Sequence, residues 1–562
     1  FRKQLSGIKI IVGNTEEHEK FEPIYHSSKE ISHNIIRKLV KQAWDSYHQE
    51  IKEIASDDLI KKYHLLSSKE AIFNMHFPET EEIMDTARQT IIFLEFFLFQ
   101  IKAQYRKVLH KNVGKGRAIH YQLDYLKDFF ASLPFELTNA QKKAVNSISA
   151  DMKRPIQLYR LLQGDVGSGK TVVAAGAIVA AQSTDLQSAL MAPTEILAEQ
   201  HFISLQKFYQ SFNIRIELLT GSTKTKKRQE ILDRLKAGEI DLLVGTHALI
   251  QEDLQFKDLA LVIIDEQHRF GVNQRKLLRE KGKNPDVLFM TATPIPRTLS
   301  ITAYGEMDVS VIDEMPPGRL PVETHWIRRK SLAAMMNELK KELISGAQAY
   351  VISPLIEESD LMDLENAEEL FLEYKDTFSS EYKVSLLHGR MNTEEKEKIM
   401  EQFKNNQINI LVSTTVIEVG VDVPNASMMI IHNADRFGLA QLHQLRGRVG
   451  RGERQSRCIL IANPKSENGV ERMKIMTETT DGFKISQKDL EMRGPGEFFG
   501  KKQSGLVEFK VADILEDKEV LEFARYEAEK ILTCKEFLKS EDYLVVRRLV
   551  GIEDGQIHDI LD

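Results

Sequence analysis

From about residue 133 the chain alternates short apolar runs with longer segments of helical periodicity, and it does so in two successive sets. Runs 158–162, 188–192, 214–219, 241–244, 261–264 and 287–290 make the first set, and 349–352, 383–387, 408–412, 428–431 and 458–461 the second. Runs that are apolar throughout, rather than at every other position, belong to strands buried on both faces. Parallel sheets with helices on either side require such strands, so the pattern predicts an α/β chain of two doubly wound parallel-sheet domains in tandem. Met315-Pro316-Pro317-Gly318-Arg319 can continue neither helix nor strand and reads as the hinge between them. A length of 562 residues, with 42% hydrophobic and 28% charged, supports several globular domains and excludes disordered or collagenous architecture.

Upstream, residues 28–110 turn helical, with Ile31, Ile35, Ile36, Leu39 and Val40 repeating at helical spacing. This stretch predicts a helical connector that serves packing. Ahead of it lie two short β-like pieces, the clearest at 8–12, which cannot close a sheet alone. The longest apolar stretch, 91–99, is interrupted by Glu95 and stops at Gln100, too short and too charged to cross a bilayer, so no membrane is expected as a partner. A net charge of −7 does not announce a polyanion, and any such contact must be local. The densest basic run, Lys224-Thr225-Lys226-Lys227-Arg228, reads as a solvated helix start, with phosphate contact as the alternative. Cys458 and Cys534 are too far apart and too few for a disulfide framework or a structural zinc, which suits a reducing cytoplasm.

The most specific local signal is Gly164-Asp165-Val166-Gly167-Ser168-Gly169-Lys170-Thr171, which follows an apolar run and precedes an Ala/Val-rich segment. Strand, glycine-rich turn and helix in that order form a phosphate cradle. Gly164, Gly167 and Gly169 let backbone N–H groups turn inward, Lys170 reaches the β and γ oxygens, and the Thr171 hydroxyl ligates Mg²⁺. Downstream, run 261–264 leads directly into Asp265-Glu266 at the carboxyl end of a buried strand, where open α/β sheets bind ligands. Asp265 is expected to hold Mg²⁺ and Glu266 to orient and deprotonate an attacking water. Read alone the acidic pair is more often a helix cap, but beside the phosphate cradle it predicts ATP hydrolysis.

Charge on a transferred γ-phosphoryl calls for arginine, whose planar fork binds phosphate oxygens in pairs. The second set supplies Gln444-Leu445-Arg446-Gly447-Arg448-Val449-Gly450-Arg451-Gly452, with a solvated basic turn as the alternative reading. With the loop in one domain and Arg448 and Arg451 in the other, closure of the cleft between them depends on ATP, and hydrolysis reopens it. Thr291-Ala292-Thr293, after run 287–290, could relay the state of the γ-phosphate or be a plain hydroxyl-rich turn.

Taken in order, 164–171, Ala192-Pro193-Thr194-Glu195, Thr220-Gly221-Ser222, Gly245-Thr246-His247, Asp265-Glu266-Gln267-His268, Thr291-Ala292-Thr293, 416–422 and 444–451 resemble the motif series of superfamily-two helicases. Asp265 to Val272, Pro294-Ile295-Pro296-Arg297-Thr298 and Met315 to Arg319 resemble, more narrowly, the bacterial branch-migrating DNA helicases of the RecG family. The resemblance implies two RecA-like domains. It also implies an adenine contact by Phe135 and Gln141, γ-phosphate sensing by Asp422 and Gln444, and DNA backbone contacts by Thr194, Thr246 and His247. After these motifs, Arg472, Asp481-Gly482-Phe483, the stretch 489–497 and Gln503 resemble the TRG segment, shared with the transcription-repair coupling translocase. There it links ATP turnover to movement on duplex DNA, which assigns coupling to Arg472, Arg493 and Gln503; Lys501-Lys502 departs from the usual Thr-Arg or Thr-Lys.

The expected organisation is 1–27 as the C-terminal remnant of an oligonucleotide-binding-fold wedge and 28–132 as the helical connector. Next come 133–320 and 321–480 as the two RecA-like domains, then 481–562 as the TRG-like segment and a helical tail. The resemblance further implies branched double-stranded DNA as substrate, a single-stranded-DNA-binding protein as partner, a monomer, and a bacterial cytoplasmic location on the nucleoid. A transcription-repair coupling translocase is the alternative, although no polymerase-binding module is recognisable in the sequence. A P-loop switch or transport ATPase would want an NKxD or LSGGQ signature, neither of which occurs. An RNA helicase is disfavoured by the TRG-like segment.

Overall fold

A computed structural model describes residues 21, 23–25, 31–113, 116–296, 307–354, 360–414, 423–452, 454–494, 509–533, 537 and 540–552. The β-like piece at 8–12, Asp422 with the 416–422 motif, Arg297-Thr298 and Gln503 lie outside these residues.

Both apolar sets form all-parallel sheets. In the first, β1 (Tyr159–Gly164), β2 (Gln187–Met191), β3 (Ile216–Leu219), β4 (Leu242–Gly245), β5 (Leu259–Ile264), β6 (Asp286–Thr291) and β7 (Asp308–Ile312) are ordered β3-β4-β2-β5-β6-β1-β7. In the second, β8 (Glu323–Ile327), β9 (Gln348–Ile352), β10 (Val384–Leu387), β11 (Ile410–Ser413), β12 (Ala426–His432) and β13 (Arg457–Ile461) are ordered β10-β11-β9-β12-β13-β8. Every strand expected from sequence is present within a residue or two. β7 and β8 are additional: they pair with β1 and β13 at the sheet edges and flank the Met315 to Arg319 hinge.

Successive residues of a strand point to opposite faces, and the cores follow that rule. Tyr350 and Ile352 enter one apolar cluster of the second sheet, while Ala349 and Val351 enter the other. On the first sheet, helix Lys170–Gln182 is buried along most of its length, with residues 172–181 all buried. An Ala/Val-rich helix can do this because its side chains are small enough for close approach to the sheet. Residues 119–132, read from sequence as connector, also pack here: Ile119, Leu126 and Phe129 join Leu133 in the core of the first sheet.

Chain contacts group the described residues into two compact units. One comprises 109–296 and 307–494 and holds both sheets; the other comprises 21–108 and 509–552. The second unit is helical, with His33–Tyr47, Asp57–Tyr63, Ser68–His76 and the start of Glu81–Val113 joined by Lys518–Thr533 and Leu544–Leu549. Its distant parts are tied by carboxylates. Glu95 accepts the backbone N–H groups of Lys510, Val511 and Ala512, and Glu527 accepts from Lys62 at 2.5 Å and Tyr63 at 2.7 Å. The tail that follows the TRG-like segment in sequence thus shares a unit with the connector. Among the described residues no helix is long and apolar enough to cross a membrane.

Candidate active site

The loop after β1 turns tightly because Gly167 and Gly169 take φ of +79° and +85°, a region L side chains seldom adopt. Gly164 has a different reason: a Cβ there would meet Ser168 Oγ at 2.5 Å. Gly169 caps helix Lys170–Gln182, whose first residues are Lys170 and Thr171. Lys170 Nζ donates to the Gly164 and Asp165 carbonyls, each at 2.9 Å, so the ammonium group lies within the curve of the loop. Burial lowers its pKa, against the opposing charges of Glu266, Asp265 and Asp165, and Arg451 pushes the same way as burial.

β5 delivers the acidic pair beside it. His201, on helix Glu195–Phe208, donates from Nε2 to Asp265 Oδ2 at 2.7 Å. Burial alone would raise Asp265, but the His201 hydrogen bond, aided by Lys170 and the Glu266 N–H, outweighs it and holds the carboxyl below its usual range. Glu266 goes the other way: burial, then the Asp265 charge, push it up to about 7. Two adjacent carboxyls are thereby separated into one that stays ionised and one poised to take a proton. Glu266 has φ +47°, left-handed for a residue with a Cβ, and its Oε2 accepts the Ala292 N–H at 3.5 Å. That contact joins it to Thr291-Ala292-Thr293, where the two hydroxyls lie 2.9 Å apart.

Gln141 is buried and committed to the protein at both ends of its amide. Nε2 donates to the Ser168 carbonyl at 2.8 Å, while Oε1 accepts the Thr138 N–H at 2.9 Å in a capping box. Its amide therefore braces the phosphate loop. Phe135 is 40% exposed and packs edge-on against Phe208 at 6.2 Å.

The second sheet domain reaches the same pocket through helix Leu439–Arg446 and the turn after it. A Cβ on Gly447 would touch Val166 at 3.0 Å, so this segment abuts the loop directly. The charge of Arg448, itself 6% exposed, lowers Glu266, and that of Arg451 acts on Lys170. Gln444 is half-buried on the helix. Arg319, in the hinge, donates to the Val166 carbonyl at 2.5 Å and to the Gly450 carbonyl at 3.1 Å, bridging loop and arginine segment.

Other expected site residues are spread along the carboxyl edge of the first sheet. Thr194 caps helix Glu195–Phe208, His247 is exposed just after β4, and Thr246 is buried with no hydrogen-bond partner for its hydroxyl among the described residues. Arg472 and Arg493 meet at the start of helix Leu439–Arg446: Arg472 donates to the Phe437 carbonyl at 2.7 Å, and Arg493 pairs with Asp489 at 2.9 Å while covering Gly438. Sequence reasoning gave no role to His201, Asp165 or His443, and it placed Arg319 in the hinge without the bonds it makes there. Asp165 stands at a free position of the loop motif and His443 adjoins Gln444, so only proximity to recognised motifs could have flagged them. His201 carried no signal at all.

Comparison with known proteins bears on this geometry. Residues 138–301 match the DEAD/DEAH box helicase family, 331–453 the helicase conserved C-terminal domain, and 479–558 domain 3, C-terminal, of ATP-dependent DNA helicase RecG. The ATP-dependent DNA helicase RecG of Bacillus subtilis is 51% identical over 99% of this chain and 82% of its own length. That of Streptococcus pneumoniae serotype 4 is 50% identical over 97% of this chain and 81% of its own. A solved structure of RecG bound to a three-way DNA junction aligns with a TM-score of 0.68 and 42% identity, covering 89% of this chain and 66% of that one. With the phosphate loop, the acidic pair and the facing arginines in place, the chain belongs to the RecG family of ATP-dependent DNA helicases.

Proposed function

We propose that this chain is an ATP-driven motor that moves along double-stranded DNA and remodels its branches, regressing stalled forks and migrating Holliday junctions in recombination and repair. The observation carrying this reading is that the segment bearing Arg448 and Arg451 abuts the Lys170 loop, with Gly447 against Val166 and Arg319 bonded to both Val166 and Gly450. In it, the amides of 164–169 and Lys170 hold the β- and γ-phosphates. Glu266 takes the proton of the attacking water, and Arg448 and Arg451 neutralise charge on the γ-phosphoryl, so catalysis is mainly positioning and charge stabilisation. Gln444 and Asp422 sense the γ-phosphate and Phe135 serves the adenine side, while Gln141, with its amide taken up by the Ser168 carbonyl and the Thr138 N–H, would have to release both to meet the base.

Thr171 and Asp265 fit a Mg²⁺ ion that neutralises phosphate charge. Asp265 stays ionised under burial, and a hard divalent cation takes oxygen ligands. Among the described residues no cluster of three metal-ligating side chains occurs, and an ion shared with phosphates and water needs none. Thr194, Thr246 and His247 would follow the phosphodiester backbone without reading sequence. Thr291 and Thr293 pass the γ-phosphate state onward, and Arg472, Arg493 and Gln503 convert it to movement. The domain division keeps 1–27, 28–132, 133–320, 321–480 and 481–562 as its segments in outline, except that 119–132 pack with the first sheet and 509–552 group with the connector. A single-stranded-DNA-binding protein as partner, a monomeric state and a nucleoid location complete the proposal.

ATP turnover measured with forked duplex, linear duplex and single-stranded RNA tests it. Strong stimulation by the fork is expected, and weak stimulation or a preference for RNA sinks the reading.

A further inference from the structure

His443 lies where three segments of the sheet-bearing unit meet, and none of the roles assigned above uses it. Its Nε2 is 2.6 Å from Oδ1 of Asp165 in the phosphate loop, and its Nδ1 is 3.0 Å from Nη2 of Arg446 on its own helix. Arg446 continues the line, donating from Nη1 to the carbonyls of Met476 at 3.0 Å and Thr479 at 2.9 Å, where helix Glu467–Glu478 ends. A carboxylate only accepts and a guanidinium only donates. The ring therefore has one arrangement open to it: Nε2–H donates to Asp165 and Nδ1 accepts from Arg446. Asp165, His443 and Arg446 are 8%, 6% and 3% exposed, so the line runs out of reach of water.

The next helix closes over the same pair. Gly482 opens helix Gly482–Arg493, and a Cβ there would stand 2.6 Å from His443 Nε2, 2.8 Å from Asp165 Oδ2 and 2.8 Å from Pro294 Cγ. Only glycine leaves room for the Asp165–His443 contact beneath the helix start. The same Oδ1 of Asp165 accepts the Val166 N–H at 2.6 Å, so the oxygen that meets His443 is held in place by the loop's own backbone.

We propose that His443 is a positioning residue that links the phosphate loop to the helix pair Glu467–Glu478 and Gly482–Arg493, passing movement of the loop through Asp165, His443 and Arg446 to the helices. The proposal rests on the helicase reading above and adds a mechanical route to it. Buried hydrogen bonds to ionised groups are short and directional, and an unpaired buried partner is costly. When the loop shifts, the line must move as a body or break, and either outcome is felt at Thr479 and Gly482.

The test uses the full chain and two readouts: ATP turnover with and without duplex DNA, and displacement of a third strand from a triplex, which reports duplex translocation without strand separation. For His443→Ala, DNA-free turnover is expected within about threefold of the parent while third strands displaced per ATP fall at least about tenfold, as for loss of a coupling contact rather than a catalytic one. Gly482→Ala, which pries at the same pair from above, should reproduce that loss, and the double variant should add little to it. Glutamine places its amide nitrogen near the Nε2 position and asparagine its oxygen near Nδ1, so His443→Gln should restore more coupling than His443→Asn. Unchanged displacement per ATP in both His443→Ala and Gly482→Ala overturns the proposal. So does collapse of DNA-free turnover in folded His443→Ala, or an Asn variant that outperforms Gln. Failure of the underlying helicase reading looks different: the parent chain itself would show no DNA-stimulated turnover.

Discussion

At the scale of single residues, the site works by giving neighbouring groups unlike environments. Asp265 and Glu266 are adjacent in sequence, yet His201 keeps the first ionised while burial raises the second. Glu266→Gln keeps size and hydrogen-bonding capacity but removes the base, so turnover should drop by about 10²-fold or more, the scale of general-base catalysis. Lys170→Ala should abolish turnover as well, and both variants should melt near the parent temperature. Full ATPase in either contradicts the site assignment. Asp286 offers a test of stability instead. It is 2% exposed, and burial pushes its carboxyl up to about 8, although Oδ1 accepts the Leu158 N–H at 2.8 Å. A carboxyl raised in the fold contributes its full stability below the unfolded pKa of about 4, and that stability drains away as pH climbs towards 8. Asp286→Asn retains the acceptor without the charge. Its melting temperature relative to the parent should therefore rise between pH 4 and pH 8, and a pH-independent difference would refute the assignment.

At the scale of elements, legibility in the sequence tracked burial. Central strands such as β5 and β9 are buried at every position, so they stand out as unbroken apolar runs. β7 and β8 are edge strands whose outer faces remain partly open, and Asp308-Val309-Ser310-Val311-Ile312 and Glu323-Thr324-His325-Trp326-Ile327 carry polar residues that a search for continuous runs passes over. The phosphate loop and acidic pair were readable because their chemistry needs particular residue types at fixed local spacing. His201, Arg319 and His443 were not, since each acts on a partner brought near only by the fold: His201 reaches Asp265 across 64 positions, and His443 reaches Asp165 across 278. Gln141 shows the intermediate case, where the residue was found but its amide serves the loop carbonyl of Ser168 and its own helix cap.

At the scale of the whole molecule, the decisive relation is that one sheet domain holds the loop while the other supplies the arginines, with Arg319 in the hinge bonded to both Val166 and Gly450. Interactions made only in the transition state accelerate turnover without tightening nucleotide binding. Arg448 and Arg451 are expected to act in that way, since the segment that carries them meets the loop from the second sheet domain, with Gly447 against Val166. Lysine cannot replace a planar fork that grips two phosphate oxygens. Arg448→Lys and Arg451→Lys should each lower kcat by about 10²-fold or more, within the range known for arginine fingers, while affinity for a fluorescent ADP changes by less than about threefold. Single-turnover hydrolysis and equilibrium titration separate the two quantities. If affinity falls in step with kcat, the arginines hold the ground state instead, and closure of the cleft could not be what drives the chemistry.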